Sequence, residues 1–206
     1  MLYIIMELNN IDESFIEKTL PLLSNERRLK VQKMRNTQRR KLSITAYLLL
    51  RFALYEEYGI NEPVDFTYGE KGKPELRDHP YIRFNLSHCK NAVACVLSDK
   101  ETGVDIQDIR PVTDNVAKRV LTAEEYEAFS VSRDPNRYFC ELWAVKECYL
   151  KKTGQGINMD LSKLSADSVD DIIIYRDSEY ICCTGGKDTK LRNISMCELY
   201  SFLNKK

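Results

Sequence analysis

The sequence predicts a mixed α/β fold of the α+β kind, with antiparallel strand pairs packed against helices. Three observations carry that prediction. Short segments alternate apolar and polar residues, as in Tyr81–Ser87 and Gly103–Ile109. Longer segments repeat apolar residues at helical spacing, as in Arg40–Tyr58 and Asp134–Tyr149. Turn residues separate the two kinds of segment, and no internal repeat is present.

In chain order, Met1–Met6 lacks the basic flank and the length of a signal-peptide core and reads as a first strand. Residues 12–57 read as helical, in pieces around Phe15-Ile16, over Asn25–Arg35 and over Arg40–Tyr58, with Gly59 as the stop. Gly69-Glu-Lys-Gly-Lys-Pro74 is a turn-rich loop. Tyr81–Ser87 is a half-buried strand and Ala92–Leu97 a buried one. After a polar turn at 98–102, Gly103–Ile109 alternates again and is expected to pair antiparallel with the strand before it. Val104 and Ile106 then point one way, and Asp105 and Gln107 the other.

Thr122-Ala-Glu-Glu125 has the pattern of a capping box. Asp134-Pro135 starts a longer helix whose core stripe is Tyr138, Leu142, Val145 and Tyr149, and Thr153-Gly154 ends it. Ile172–Tyr175 and Tyr180–Cys183 suit a late hairpin, and Ile194–Leu203 fits a closing strand or helix equally. The turn at 98–102 is the natural boundary between two halves, 1–102 and 103–206.

Composition narrows the functional classes. The 31 Lys+Arg balance the 31 Asp+Glu, which excludes a globally basic nucleic-acid binder. With 43% hydrophobic residues against 30% charged, the chain is expected to fold rather than remain disordered. The 7 cysteines are an odd number, Cys182 and Cys183 are adjacent, and reduced thiols in the cytoplasm are the simpler expectation. No apolar run approaches the ~20 residues of a membrane span, and the cysteines have no zinc-type spacing.

Local charge is another matter. Between Glu26 and Lys41 stand Arg27, Arg28, Lys30, Lys33, Arg35, Arg39, Arg40 and Lys41 against the single acid Glu26. Such a run is either a solvated helix face or a site for phosphates. At 100° per residue Glu147 lies about 200° from Val145, so it points away from the core stripe, with Trp143 and Lys151 on the same face and Lys146 at its edge. Asp105 is a carboxylate flanked by apolar strand residues, an expensive setting unless a cation or strong donor meets it. Magnesium is one such partner, since it is held by one or two carboxylates together with substrate phosphates. Ser87-His88 ends a strand where its polar groups can meet an anion, whereas adjacent strand side chains point apart and cannot form a serine relay.

In this order, Lys73-Pro74, Phe84-Asn-Leu-Ser-His88, Gly103-Val-Asp-Ile106 and Trp143-Ala-Val-Lys-Glu147 with Lys151 and Gly154 resemble the motif set of the Sfp-type 4′-phosphopantetheinyl transferases over roughly residues 20–160. The resemblance implies two similar halves related by a pseudo-twofold, each an antiparallel-rich sheet packed with helices, with the active site in the cleft between them. It implies a monomeric, cytoplasmic enzyme of the holo-[acyl-carrier-protein] synthase type that binds neither nucleic acid nor membrane. The reaction implied is transfer of the phosphopantetheine arm of coenzyme A to a serine of an apo acyl or peptidyl carrier protein, with magnesium, releasing adenosine 3′,5′-bisphosphate.

By position, the resemblance makes Asp105, Gln107 and Glu147 metal ligands, and Glu147, Lys151 and His88 catalytic. It makes Arg27, Lys30, Ser43, Lys73, Ser87, His88, Lys146 and Lys151 coenzyme A contacts. Many bacterial members have Glu where this chain has Gln107, which removes one negative charge from the site. Two other classes compete on the residues alone. A metal-dependent phosphohydrolase would use water as acceptor, and a nucleotide- or RNA-binding module would use the basic segment without Asp105 or Glu147.

Overall fold

Helix formation in the first half follows from local signals. Ser24 and Asn36 accept the Arg27 and Arg39 amides and so cap α2 (Asn25–Gln32) and α3 (Thr37–Tyr58), which follow α1 (Ser14–Thr19). Gly59 ends α3 at φ 69°, in the left-handed region. From Leu42 to Leu54 α3 is buried on every side, because strands cover one face and α1, α2 and α7 (Met196–Leu203) cover the rest. The computed structural model describes residues 1–6, 8, 11–156 and 159–204.

Against α3 lies a four-stranded sheet built from β1 (Leu2–Ile5), β4 (Arg83–His88), β5 (Val93–Ser98) and β9 (Leu191–Asn193), in the order β4-β5-β1-β9. All pairs are antiparallel except β1 with β9. A separate hairpin pairs β2 (Phe66–Tyr68) with β3 (Pro74–Leu76). The second half packs α6 (Pro135–Thr153) on an antiparallel sheet of β6 (Val104–Asp108), β7 (Ile172–Arg176) and β8 (Tyr180–Gly185), ordered β6-β8-β7. Beside α6 stand α4 (Asp114–Val120) and α5 (Ala123–Val131). Thr122 and Glu125 form the expected capping box of α5, Asp134 caps α6 above Pro135, and Gly154 ends α6 at φ 67°.

Three expectations are corrected. First, β6 does not pair with β5; it pairs with β8 (Asp105 opposite Cys183), so 98–102 is a crossover between sheets rather than a hairpin turn. Second, the core face of α6 is Cys140, Ala144, Val145 and Cys148, while Tyr138, Leu142 and Tyr149 are half-buried. The reason is close approach. A Cβ on Gly103, at the start of β6, would lie 2.5 Å from the Lys152 nitrogen and closer still to the Cys148 carbonyl. Only small side chains fit where α6 lies so near the sheet. Third, the last segment does not stay with the second half. β9 continues the first sheet, and α7 buries Leu199, Phe202 and Leu203 in the first core, with Phe202 edge-on to Phe52. Ile194–Leu203 is therefore mostly helix, and it belongs with residues 1–98 in space.

Candidate active site

The edge strands β4 and β6 face each other without a backbone ladder, joined by side chains. Asn85 Oδ1 accepts the Val104 amide (3.1 Å) and Ser87 Oγ accepts the Ile106 amide (3.2 Å). Alternation along β4 places both polar side chains toward β6, so the seam between the halves is polar at its centre. Buried Asp105 lies on that seam. Its Oδ1 accepts from Ser87 Oγ (2.9 Å) and from Lys151 Nζ (2.5 Å), and its Oδ2 from the Gln107 amide (2.7 Å). Lys151 Nζ also donates to Ser87 Oγ (3.1 Å).

Lys151 and Glu147, one turn apart on α6, line a groove of about 250 Å³ whose opposite wall is Lys73, Pro74, Asn85 and Leu86. Both halves therefore build it. Glu147 is half-buried, and burial first and the Asp105 charge second push its carboxyl above the ordinary value of 4.5, with Lys151 opposing. His88 stands at the rim of the seam. Desolvation and then the cations Lys151 and Arg39 lower its imidazole from the usual 6.5.

Lys73 turns its ammonium to the seam, where Glu101 (2.7 Å), the Lys152 carbonyl (2.8 Å) and the Thr102 carbonyl (3.2 Å) take its three donors. In the first half, the predicted phosphate residues converge at a second hollow of about 260 Å³ lined by Arg27, Lys30, Tyr47, Phe66 and Tyr68. Arg27 donates to Ser43 Oγ (2.7 Å) and packs its guanidinium on the Tyr47 and Phe66 rings, and Lys30 reaches the Tyr68 hydroxyl (3.3 Å). Thus Asp105, Gln107, Lys151 and Ser87 meet through hydrogen bonds, Glu147 stands beside Lys151 in the groove wall, and the expected phosphate trio forms its own cluster.

Two residues depart from expectation. Lys146 is wholly buried and points away from the groove, bonded to Glu125. Trp143 lines an apolar hollow of about 290 Å³ beside Gln107, Pro111 and Phe139. Sequence reading missed Glu125, whose only signal was its place in the capping box, and the steric role of Gly103.

The carboxylate pair fits a divalent cation by its chemistry. All the donors are hard oxygens, the Asp105 charge adds to burial in raising the Glu147 pKa even with Lys151 bonded to it, and Gln107 adds an amide oxygen. Among the described residues no three His, Cys, Asp or Glu side chains converge as a metal cluster, so such an ion would draw its further ligands from phosphate and water.

The protein class these features define is that of the 4′-phosphopantetheinyl transferase superfamily, whose profile matches residues 101–192. The 4′-phosphopantetheinyl transferase psf-1 of Bacillus pumilus is 33% identical over 155 residues, 73% of this chain and 66% of the relative. Sfp of Bacillus subtilis strain 168, named for the same transferase, is 28% identical over 152 residues, 72% of this chain and 68% of the relative. The slr0495 protein of Synechocystis sp., provisionally named for that activity, is 32% identical over 164 residues, 76% of this chain and 67% of the relative. The chain belongs to this family, and it spans about two thirds of the length of the curated relatives it matches.

Proposed function

We propose that this protein transfers the 4′-phosphopantetheine group of coenzyme A to a serine of an apo acyl or peptidyl carrier protein, giving the holo carrier and adenosine 3′,5′-bisphosphate. The observation that carries the reading is the bonding of Asp105, Ser87 and Lys151 across the seam, with Lys151 and Glu147 lining the groove beside it that both halves build, in a chain of this family. The named Bacillus relatives favour the Sfp type over the holo-[acyl-carrier-protein] synthase subtype. The two long helices α3 and α6, each lying on a sheet and each ended by a left-handed glycine, favour halves related by a pseudo-twofold with the reaction in the cleft between them. We read the protein as a cytoplasmic monomer that binds neither nucleic acid nor membrane; among the described residues no helix is long and apolar enough to cross a membrane.

In this reading Lys151 binds the pyrophosphate of coenzyme A, and His88 donates a hydrogen bond to a phosphate oxygen. Arg27 and Lys30, with Ser43 orienting Arg27, hold the 3′-phosphate. Lys73, its ammonium spent on the seam, shapes the groove wall. Asp105 and Glu147, with the Gln107 amide oxygen, would hold magnesium, which neutralises charge on the pyrophosphate. The carrier serine oxygen attacks the β-phosphorus, the bond to adenosine 3′,5′-bisphosphate breaks, and Glu147 takes the hydroxyl proton. The apolar hollow beside Gln107 offers the carrier a place to rest against Trp143 and Phe139. Assay of adenosine 3′,5′-bisphosphate, with and without apo carrier, tests the reading: release must require the carrier, because release without it is hydrolysis.

A further inference from the structure

Lys146 precedes the proposed base in the sequence yet points away from the groove, with no exposed surface. Its three ammonium donors meet three acceptors: Glu125 Oε2 (2.5 Å), the Val120 carbonyl at the end of α4 (2.7 Å) and the Leu161 carbonyl in the turn after α6 (3.1 Å). Glu125, nearly as buried, is saturated in its turn. Its Oε1 accepts the Ala166 amide (2.8 Å), and its Oε2 accepts the Thr122 amide (2.8 Å) as well as Lys146. One ion pair thus ties α4, α5, α6 and the chain at 161–166. Burial pulls the Lys146 ammonium below its ordinary pKa and Glu125 opposes that shift.

The knot bears on the active site through helix geometry. Glu147 follows Lys146 by 100° of rotation, and Lys151 lies four residues on, within about 40° of Glu147. Glu147 is half-buried in the groove wall, and Lys151 is held at its tip by Asp105 on the sheet beneath α6 and by Ser87 across the seam. On the side facing the sheet α6 packs through Cys140, Ala144, Val145 and Cys148. A side chain with three directed bonds on the other side fixes the turn. Lys146 also holds Leu161, a few residues past Gly156, which lines the groove.

We infer that the buried Lys146–Glu125 pair is a positioning device for the transfer, setting the rotation of α6 that aims Glu147 and Lys151 into the groove, and that Lys146 does not touch coenzyme A. This rests on the transferase reading for its kinetic test, while its structural test does not.

Lys146→Met alone strands a buried carboxylate, so the probe is the double variant Lys146→Met/Glu125→Leu, compared with Leu199→Ala, which opens a cavity in the first core far from the groove. Each is assayed well below its melting transition. The expected result is that kcat for transfer falls about tenfold or more in the double variant, with a smaller change in coenzyme A affinity. The Leu199→Ala variant should keep its rate, and in hydrogen exchange the amides of Lys151 and Lys152 should open faster in the double variant alone. A double variant that transfers like Leu199→Ala with unchanged exchange overturns the inference. If the unmutated chain transfers nothing, the transferase reading fails, and the exchange comparison still decides what the pair does.

Discussion

Lys151 Nζ lies 2.5 Å from Asp105 Oδ1, so the last turn of α6 is bonded to the centre of β6 directly beneath the groove. Ser87 joins the same carboxylate from the other half. A single buried side chain therefore connects both sheets and α6.

Replacing Asp105 with Ala should abolish transfer and also weaken the fold. Three donors, from Ser87, Gln107 and Lys151, lose their acceptor. Leaving buried donors unmet costs about 1–3 kcal/mol, discounted because Lys151 is 29% exposed and partly solvated. Urea unfolding should show a loss within the lower part of that range with a folded baseline intact.

Glu147→Gln should abolish transfer without loss of stability. The native carboxyl holds its proton more tightly than the unfolded one, so the contribution of Glu147 to stability is greatest below pH 4.5 and declines as pH rises from 4.5 through the raised native value. The Gln variant lacks that decline. Its melting temperature at pH 7 should equal or exceed that of the unmutated protein, and the difference should close on acidification below 4.5. A variant less stable at pH 7 would show that Glu147 is held by partners rather than strained.

Gln107→Glu should destabilise the protein without metal and respond more strongly to it. The amide now donates to Asp105 Oδ2 at 2.7 Å, and a carboxylate there would lose that bond and repel Asp105. Added magnesium should raise the melting temperature further than in the unmutated chain and should reach half-saturation at lower concentration. Equal responses would place residue 107 outside the metal's reach.

Coenzyme A should bind more tightly than its 3′-dephospho form, and Arg27→Gln/Lys30→Gln should shrink the gap. Charge-assisted contacts contribute on the order of 1.5–3 kcal/mol each when shielded; with Lys30 exposed, the expected loss for coenzyme A is roughly ten- to a hundredfold. Calorimetric titration of both ligands measures it, and equal affinities in the unmutated protein would return Arg27–Lys41 to a solvated face.

Local chemistry was legible in the sequence and partner choice was not. Asp134, Pro135, Gly154 and the Thr122–Glu125 box mark helix ends because caps act within one turn. Asp105 stood out because a charge beside apolar residues demands a partner, and Glu147 because helical rotation turns it away from the core stripe. The pairing of β6 with β8 depends on a segment about 75 residues away in the chain, and nothing in residues 98–109 distinguishes it from a hairpin with β5. Lys146 looked like the edge of a polar face because its acceptors, Glu125, Val120 and Leu161, come from three other segments. The small residues of α6 gave a weak stripe because the helix needs little side chain where Gly103 lets it touch the strand.

Mass spectrometry of a purified apo carrier protein after incubation with this protein, coenzyme A and magnesium tests the central claim most directly. The account predicts that the carrier gains the mass of one phosphopantetheine group on its serine, and that Asp105→Ala or Glu147→Gln leaves the carrier unmodified. A carrier of unchanged mass, while coenzyme A is cleaved to free phosphopantetheine, would contradict transfer and make the groove a hydrolase site.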